Sequence, residues 1–278
     1  MNSNLGIKTF PIFRMGEHKE SMDDTLSVEE PLEISLATDG NLPEKVSITM
    51  RTPGHDKELA AGFLFTEGIL TSVSQIQNIT HTQTLPGAES NTLLVTLNAH
   101  QKIATDALKR NFYTTSSCGV CGKASIDAIQ TVSLFNTQEK PRIKVRAALL
   151  KTLPDQLRKA QAAFNQTGGI HASGLFDLEG NLLALREDVG RHNALDKVIG
   201  SQFLLGNVPL FHHILLLSGR ASFELIQKAA MAGIQVVCAV GAPSSLAVET
   251  AQRFGICLIG FLKHDRFNIY TQQECIEP

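Results

Sequence analysis

The amino-terminal third of the chain contains two short segments in which apolar and polar residues alternate, the pattern of half-buried β-strands. The segments cover residues 32–36 and 46–50, and Asp39-Gly40-Asn41 lies between them. Because these three residue types favour tight turns, the pattern predicts a β-hairpin. A further strand, rich in Leu, Val and Thr, is predicted over residues 91–98. Residues 1 to about 28 show no strong period, which predicts a loose segment or an edge strand.

A helix is predicted to begin near Pro53, after the second strand of the hairpin. Apolar residues then recur at helical spacing from Leu59 to Leu64, and Gly68 can end the helix. Another helix is predicted to begin at Ala124. The polar, proline-containing segment 136–142 marks a boundary. The sequence therefore predicts a smaller α+β amino-terminal domain over residues 1–145.

The second half of the chain changes character, because short aliphatic runs alternate with helical segments. A helix is predicted over residues 154–164, where Pro154 and Asp155 stand in the first turn and Gly168-Gly169 follows the end. A hairpin is predicted next, around the turn Glu179-Gly180-Asn181. The predicted strands cover residues 170–176, 182–185, 214–217, 234–240 and 256–261, and the other predicted helices cover residues 193–199, 222–231 and 245–254.

This alternation indicates βαβ units around a buried sheet, so residues 146–278 are predicted to form an α/β domain. In open sheets of this kind, ligands bind at the carboxyl ends of the strands. Each of these ends is small or basic. They are Ser218-Gly219-Arg220, Gly241-Ala242-Pro243-Ser244 and Lys263-His264-Asp265-Arg266.

The composition, with 278 residues and a formal net charge of −2, is that of an ordinary globular protein. Without a basic excess, the charge does not support a nucleic-acid partner. No run approaches the roughly 20 apolar residues that a membrane span needs, and residues 1–14 lack the apolar core of a secretory signal. Five cysteines, an odd number, suit free thiols in a reducing compartment. We therefore expect a cytoplasmic protein without a membrane partner.

Cys118 and Cys121 stand three positions apart among small residues, in Thr115-Ser-Ser-Cys-Gly-Val-Cys-Gly122, which predicts an exposed loop. Three interpretations are open: a dithiol redox pair, half of a zinc site, or a sulfur carrier that reacts as the thiolate. A zinc site needs two further ligands, whereas Cys238 and Cys257 lie in aliphatic runs and are predicted to be core residues. For a carrier, Lys123 and the following helix start would favour the thiolate.

The segment Glu187–Lys197 is dense in charge for the entry to a helix. One interpretation is a solvated helix start that Asp188 caps. The other is a polar cluster at a strand-to-helix turn, in which Arg191 and His192 face a ligand.

His171 lies on a predicted strand, where a lone histidine is more often structural than a ligand. A deaminase would carry H-x-E followed by P-C-x-x-C. Ser173 stands where the glutamate is needed, and the cysteine pair precedes the histidine. Zinc-dependent deamination is therefore not expected.

Lys263 and Arg266 bracket the end of the last aliphatic strand. They are either two ordinary surface charges or a phosphate-binding pair, in which Arg offers a planar fork and Lys a point charge. Asp265 between them opposes an anion. Its carboxylate suits a guanine edge instead, since it can accept hydrogen bonds from the ring N–H and the exocyclic amine.

Five motifs, in this order along the chain, together resemble the formate dehydrogenase accessory sulfurtransferases, the FdhD/NarQ family. The resemblance covers about residue 29 to Thr271, and the long segment from Glu187 is highly specific. The motifs are Ser117-Cys-Gly-Val-Cys-Gly122, Thr167-Gly-Gly-Ile-His-Ala172, Glu187-Asp-Val-Gly-Arg-His-Asn-Ala-Leu-Asp-Lys197, Ser218-Gly-Arg-Ala-Ser-Phe-Glu224 and Leu246-Ala-Val-Glu249.

The resemblance implies a cytidine-deaminase-like α/β fold for the carboxyl-terminal domain, and a homodimer. It implies transfer of sulfur from a cysteine desulfurase to the molybdenum cofactor, bis-molybdopterin guanine dinucleotide, before insertion into formate dehydrogenase. The family's persulfide carrier falls on Cys118, and an assisting cysteine falls on Cys121. Some relatives have Pro-Gly where His264-Asp265 stand. The cofactor-binding segment, for which GDP is a mimic, falls on Phe261, Leu262, Lys263, His264, Asp265 and Arg266.

The resulting hypothesis is a sulfurtransferase in which Cys118 takes sulfur from a donor persulfide and presents it to molybdenum held by residues 261–266. Cys121 would release the sulfur by closing a disulfide with Cys118, and Arg191, His192 and Arg220 would line the pocket of the anionic cofactor. The first alternative is a chaperone that binds and delivers the cofactor without transferring sulfur. The second is a zinc protein that uses both loop cysteines and a histidine.

Overall fold

The computed structural model describes residues 6–38, 42–82, 91–98, 135 and 143–278. Four predicted features lie outside the described residues. They are the turn 39–41, the loop with Cys118 and Cys121, the helix from Ala124, and the boundary segment 136–142. Within the described ranges, no helix is long and apolar enough to cross a membrane.

The first strands, β1 (Ile7–Met15) and β2 (Lys19–Ser27), pair antiparallel over their whole length as a separate hairpin. The sequence predicts a loose segment or an edge strand here and misses this regular pairing. Phe13 and Met15 are 68% and 74% exposed. Because neither face of the hairpin is buried in a core, no strict alternation of apolar residues marks it.

A four-stranded sheet follows, in the order β4-β3-β6-β5. The predicted hairpin and the predicted strand over 91–98 are both confirmed, and β3 pairs antiparallel with β4 and parallel with β6. The predicted helix is confirmed as α1 (Asp56–Thr66). The strands are β3 (Glu30–Thr38), β4 (Glu44–Arg51), β5 (Ile76–His81) and β6 (Thr92–Leu97).

The larger sheet has six strands, in the order β13-β12-β11-β10-β8-β9. The aliphatic strands β10, β11 and β12 are parallel, as the βαβ pattern predicts. The predicted hairpin forms β8 and β9, which are antiparallel, and β8 runs antiparallel to β10. The sheet is therefore mixed. Its strands are β8 (His171–Phe176), β9 (Leu182–Asp188), β10 (Ile214–Leu217), β11 (Val236–Ala239), β12 (Cys257–Gly260) and β13 (Asn268–Ile269).

Helices cover both faces of this sheet. Leu215 and Leu217 pack in a core with the longer helices, whereas Ile214 and Leu216 pack in a second core with the short helices near residue 150. The small strands β7 (Val145–Arg146) and β14 (Ile276–Glu277) pair beside that second core. The helices are α2 (Ala147–Leu150), α3 (Leu153–Ala160), α4 (Ala162–Thr167), α5 (Arg191–Leu204), α6 (Phe223–Met231) and α7 (Ser245–Phe254).

One predicted helix, over residues 154–164, is in fact two. The chain leaves the helical conformation at Gln161, where φ is −74° and ψ is 85°, so α3 ends and α4 begins there. No proline or glycine stands at this break, which is why the sequence pattern does not reveal it.

The two parts of the chain share one core through the crossing of α1 and α5. A Cβ atom added at Gly62 would lie 1.9 Å from the carbonyl oxygen of Asp196, and one added at Gly200 would lie 1.8 Å from that of Glu58. Phe65 and Phe203 stack beside this crossing, with ring centroids 4.7 Å apart. The domain boundary at residue 145 stays a prediction, but the first sheet and the second are packed on one continuous cluster.

A buried polar network crosses the same helices. Lys228 of α6 lies 2.9 Å from a carboxylate oxygen of Asp196, and both groups bond to the hydroxyl of Thr66 at 2.9 Å. All three residues are buried. Because each charge has a partner of opposite sign, the network fixes α1, α5 and α6 relative to one another.

Candidate functional site

The carboxyl ends of the parallel strands meet at one edge of the larger sheet, where β8 begins. The amide of Ala172 donates to the hydroxyl of Ser218 at 2.8 Å, which joins β8 to the end of β10. The next turns are joined by backbone hydrogen bonds from Gly241 to Gly219 and from Phe261 to Gly241, at 2.9 and 3.0 Å. The predicted strand-end segments therefore lie side by side, and we treat this edge as the candidate site.

A cavity of about 600 Å³ opens between this edge and the helices α3 and α4. Gln161, at the break between these helices, lines the cavity and is only 4% exposed. Its amide nitrogen is buried and has no hydrogen-bond partner among the described residues. A buried donor left without an acceptor costs about 1–3 kcal/mol, and this nitrogen has almost no accessible surface toward the cavity.

His171 lies on the same cavity, at the first position of β8. Burial lowers the pKa of this imidazole below its usual value, and the positive charges of Arg191 and His192 lower it further, against the opposite influence of Asp188. The side chain is therefore neutral at pH 7. A Cβ atom added at Gly219 would lie 3.5 Å from His171 Nδ1, so these two residues form one wall of the cavity.

The charged segment Glu187–Lys197 turns most of its polar groups inward. Asp188 is fully buried and accepts hydrogen bonds from the amides of Thr52 and Gly190, at 3.1 and 2.8 Å. The N-cap of α5 is Gly190. The interpretation of this segment as a solvated helix start capped by Asp188 is therefore wrong.

The countercharge of Asp188 is Lys197, whose ammonium nitrogen lies 2.7 Å from the carboxylate and 2.8 Å from the carbonyl oxygen of Thr52. Asn193 donates to the carbonyl oxygen of Met50 at 2.7 Å. These contacts tie α5 to the end of β4. They hold the amino end of α5 in place, so they position the residues that follow Gly190.

Arg191 and His192, like Glu187, are only partly buried. His192 Nε2 lies 3.0 Å from the carboxylate of Glu224 and 3.4 Å from the hydroxyl of Ser222, at the start of α6. Burial alone would raise the pKa of Glu224, but the hydrogen bond and charge of His192 outweigh it and lower that pKa. The Nε of Arg191 is buried without a hydrogen-bond partner in the described part of the chain.

Glu187, the remaining carboxylate of the segment, joins β9 to the start of α4. It accepts hydrogen bonds from the amides of Ala163 and Phe164 at 2.8 and 2.9 Å. These are first-turn amides of α4, which have no partner within the helix. The sequence pattern does not predict this contact, because it does not separate α4 from α3.

The segment 261–266 forms a turn at the end of β12, one strand beyond the cavity. The amide of Lys263 donates to the carbonyl oxygen of Arg266 at 2.9 Å. Phe261 has a positive φ of 52° and an exposed ring. Leu262 is fully buried in the second core and its amide donates to the carbonyl oxygen of Ala239 at 3.0 Å, so it anchors the turn and offers no surface to a ligand. Lys263, His264, Asp265 and Arg266 are exposed.

The charges in this turn are only loosely engaged. Arg266 lies 3.5 Å from its neighbour Asp265, and both side chains are largely in solvent. Lys263 forms no ion pair with the residues that the structure describes. Arg220, also exposed, lies against Gly241 at the neighbouring strand end. The edge thus presents basic side chains beside the turn, an arrangement that suits phosphate groups.

Three of the five cysteines lie in the described ranges. Cys238 and Cys257 are fully buried, which confirms them as core residues. Burial raises the pKa of the Cys238 thiol and raises that of Cys257 to about 12. Burial and the charge of Glu274 also raise the pKa of Cys275. None of these thiols is disposed to react as a thiolate, while Cys118 and Cys121 lie outside the described residues.

A metal centre is not formed by the residues that the structure describes. No group of three or more His, Cys, Asp or Glu side chains there is placed to hold an ion. The zinc interpretation relies on Cys118 and Cys121, so it stays a prediction.

Glu58 joins α1 to β9 through an ion pair with Arg186. It accepts two hydrogen bonds from Arg186, at 2.5 and 2.7 Å, and lies 3.3 Å from His55. Burial alone would raise the pKa of Glu58, but the hydrogen bonds and charges of Arg186 and His55 outweigh it. They lower that pKa from 4.5 to about 2. The ionised carboxylate is therefore stabilised by folding.

We expect Glu58→Gln to lower the free energy of unfolding by roughly 1–2 kcal/mol at pH 7, less than the full shift implies because the pair is partly solvated. Since folding lowers this pKa, the contribution is fully present above about pH 5 and is lost as the pH falls toward 2. Urea unfolding at several pH values tests this. Glu179→Gln, in an exposed turn, serves as the control, and an unchanged pH dependence in Glu58→Gln would contradict the assignment.

The comparisons with known proteins agree on one family. A family model described as "FdhD/NarQ family" matches residues 27–277. The "Sulfur carrier protein FdhD" of Mycolicibacterium paratuberculosis is 51% identical over 256 residues, covering 91% of this chain and 92% of the relative. The protein of the same name from Streptomyces avermitilis is 49% identical over 256 residues, covering 91% and 89%.

A solved structure is similar over nearly the whole chain. It is that of a formate dehydrogenase accessory protein from Desulfotalea psychrophila, with a TM-score of 0.74 and 22% sequence identity. The match covers 98% of this chain and 100% of that one. At this identity the likeness shows the fold alone, a mixed α/β arrangement with several sheets.

Proposed function

Because the chain belongs to the FdhD/NarQ family, we propose that it is a sulfur carrier required for the activity of a formate dehydrogenase. The relatives that carry the name of sulfur carrier match it along about nine-tenths of its length. The match includes the whole edge of the larger sheet and the segment that holds both loop cysteines.

The chemistry of the thiols is the observation that carries the proposal. A sulfur carrier needs an accessible cysteine that reacts as the thiolate. The three described cysteines are buried or partly buried, and their pKa values are raised. Cys118 and Cys121 remain, and we assign the carrier role to Cys118 and the assisting role to Cys121, as the family resemblance implies. Attack of the Cys118 thiolate on the terminal sulfur of a donor persulfide leaves a persulfide on Cys118 and a thiolate on the donor.

The acceptor in this proposal is the molybdenum cofactor, bis-molybdopterin guanine dinucleotide, as a bound substrate. Its guanine and phosphate groups would be held by the turn 261–266, where Lys263 and Arg266 can approach phosphates and Asp265 can accept from a guanine edge. The exposed ring of Phe261 is available for stacking. Leu262 is buried and would act by anchoring the turn, and GDP is the simplest mimic of this part of the substrate.

The finer parts of the proposal concern partners and fold. We assign the donor role to a cysteine desulfurase, the acceptor role to formate dehydrogenase, the location to the cytoplasm, and the assembly to a homodimer. We also assign a cytidine-deaminase-like fold to the carboxyl-terminal part. Two observations support that fold. The larger sheet is mixed, and α5 and α6 both begin at the same edge of it, where His192 contacts Glu224.

The test is to load the protein with a cysteine desulfurase and cysteine, and to map the persulfide by mass spectrometry. We expect the label on Cys118 in the unaltered chain. Cys118→Ala is expected to lose it and to lower activation of formate dehydrogenase by more than about 100-fold, as loss of a covalent nucleophile does. Cys275→Ala, which removes a partly buried thiol, is the matched control and is expected to keep both.

The alternative is a chaperone that binds and delivers the cofactor without transferring sulfur. It would be favoured if Cys118→Ala still produced active formate dehydrogenase. Label on Cys238 or Cys257 in place of Cys118 would overturn the assignment of the carrier residue.

A further inference from the structure

The hairpin of β1 and β2 forms a sheet of its own and is joined to the rest of the protein near its base. The hydroxyl of Ser27, at the end of β2, donates to the hydroxyl of Thr167 in α4 at 2.9 Å. The amide of Val28 donates to the carbonyl oxygen of Gly6 at 2.9 Å and closes the base. A two-stranded hairpin is at most marginally stable in water unless further structure covers one of its faces. A partner that covers a face would therefore stabilise this hairpin.

The uninterrupted register of the hairpin sorts its side chains onto two faces. Ile7 lies opposite Ser27 and Met15 lies opposite Lys19, without a bulge between them. Even-numbered residues of both strands therefore share one face, and odd-numbered residues share the other. Because Ser27 contacts α4, the odd-numbered face turns toward the body of the protein at the base. The even-numbered face points away from it, and we call it the outer face.

The outer face combines apolar side chains with charges that are sorted by strand. Phe10 and Leu26 are 40% and 43% exposed. Ile12 and Met22 lie opposite each other in the middle of the face and are partly buried. The charges are basic on β1 and acidic on β2, and they are Lys8, Arg14, Glu20 and Asp24.

The edges and the other face of the hairpin are less suited to a partner. Pro11, in the middle of β1, has no N–H to donate to an added strand. The charged side chains along β2 oppose edge-to-edge pairing. The odd-numbered face is apolar on β1 alone, because its side chains on β2 are polar. They are Lys19, Ser21, Asp23, Thr25 and Ser27.

Two copies of the outer face are complementary when they stack about a two-fold axis parallel to the strands. A two-fold axis brings the same patch of both copies together, and in this orientation β1 of one copy lies over β2 of the other. Arg14 then faces Glu20 of the second copy, and Ile12 faces Met22 of the second copy. An axis perpendicular to the strands would instead bring Lys8 over Arg14, a like-charge contact. The sorting of charges by strand therefore selects one orientation.

The charges of the outer face are available for such a contact. Arg14 lies opposite Glu20 within its own hairpin, yet no ion pair joins them in the part of the chain that the structure describes, and both are exposed. Lys8 is exposed too, and its ammonium lies 5.3 Å over the ring of Phe10. Contact with a second copy would thus form ion pairs without breaking any described one.

We propose that the outer face of the hairpin is an interface between two copies of this chain, stacked about a two-fold axis parallel to the strands. The proposal rests on the homodimer of the proposed function and adds the surface on which the copies meet. Almost all of this surface precedes residue 27, where the family match begins. Each copy contributes eight side chains, fewer than the roughly 20–30 residues a side of a standard interface, so we expect a reversible dimer with a dissociation constant on the order of 10 µM.

The experiment measures association of the full-length protein by sedimentation velocity, from about 1 to about 100 µM. We expect Arg14→Glu and Glu20→Arg each to weaken the dimer about 30-fold, because each brings like charges together at two symmetry-related places. An equal mixture of the two variants is expected to associate as tightly as the unaltered protein, since opposite charges then meet at both places. Both variants keep like charges opposite each other within their own hairpins, so recovery in the mixture comes from contact between copies.

Phe10→Ser and Phe13→Ser provide a matched pair of variants. Each removes an exposed ring of β1 that lies under a lysine ammonium, at 5.3 and 4.1 Å. Phe10 is on the outer face, whereas Phe13 is on the odd-numbered face. We expect Phe10→Ser to weaken the dimer about tenfold and Phe13→Ser to leave it unchanged.

The proposal is overturned if the unaltered protein stays monomeric throughout this range, or if the mixture of charge variants associates no better than either variant alone. A dimer that all four substitutions leave intact would keep the homodimer of the proposed function and remove the hairpin from its interface. None of these results bears on the persulfide of Cys118, which is measured separately. Conversely, if the variants behave as expected while Cys118→Ala still supports formate dehydrogenase, the sulfur-carrier proposal fails and the hairpin interface stands.

Discussion

Gly200→Ala is expected to lower the free energy of unfolding by about 3–5 kcal/mol, at the upper end of single substitutions. Alanine normally stabilises a helix relative to glycine by roughly 0.5–1 kcal/mol. Here the added Cβ would lie 1.8 Å from the carbonyl oxygen of Glu58, which is backbone of α1 and cannot rotate aside. The helices must separate, and the core that they share loses its packing.

Urea unfolding measures this effect, with Gly62→Ala as a partner variant that meets Asp196 at 1.9 Å. Both substitutions force the same crossing apart, so the double variant is expected to cost clearly less than the sum of the singles. Gly16→Ala is the control, since nothing lies within 4 Å of its added Cβ. A stabilising effect of Gly200→Ala would show that α1 and α5 are not in backbone contact.

Asp188→Ala is expected to destabilise the protein by about 3–5 kcal/mol, because it leaves Lys197 buried without a countercharge. Lys197 is 1% exposed, and its one remaining acceptor among the described residues is the carbonyl oxygen of Thr52. Lys197→Met should cost less. In that variant Asp188 keeps its hydrogen bonds from Thr52, Gly190 and Asn193, which stabilise the carboxylate.

The decisive quantity is the difference in stability between Asp188→Ala and Lys197→Met. Urea unfolding at pH 7 of Asp188→Ala, Lys197→Met and the double variant measures it, and the double variant is expected to be more stable than Asp188→Ala alone. If Asp188→Ala costs no more than Lys197→Met, the ion pair is not what holds the start of α5. Glu179→Gln, in an exposed turn, again provides the reference for a substitution of surface charge.

The sequence predicts the central sheet well because its strands are buried on both faces. Residues 214–217 and 256–261 are continuous aliphatic runs, and only a buried strand satisfies such a run at that length. The hairpin β1–β2 lies at the opposite extreme. Its side chains face solvent on both sides. Because no face has to be apolar, apolar and polar residues do not alternate along these strands.

Charge was the least reliable guide to exposure. The segment Glu187–Lys197 looks solvated, yet Asp188 and Lys197 are at most 1% exposed because each is the partner of the other. Pattern analysis assigns charged residues to the surface, since an unpaired charge is almost never buried. It has no means of recognising a pair whose second contact, the backbone of Thr52, is far away in the chain.

The candidate site was predictable in part. Strand ends indicated the edge where Ser218, Gly241 and Phe261 meet, but not the cavity, because Gln161 was placed inside a continuous helix. One signal was present. Gln161 follows Leu157 by four positions, on the face that packs into the second core. A polar side chain on a buried face normally has a hydrogen-bond partner, so its presence there indicates a special position.

The backbone contact between α1 and α5 has a consequence for the descent of this family. A hybrid that joins the first part of one homologue to the last part of another must inherit compatible residues at both ends of the contact. A bulkier residue tolerated at position 62 in one lineage would clash with the α5 of a lineage that evolved around glycine. The halves of this chain are therefore expected to change together through evolution and to resist recombination as separate modules.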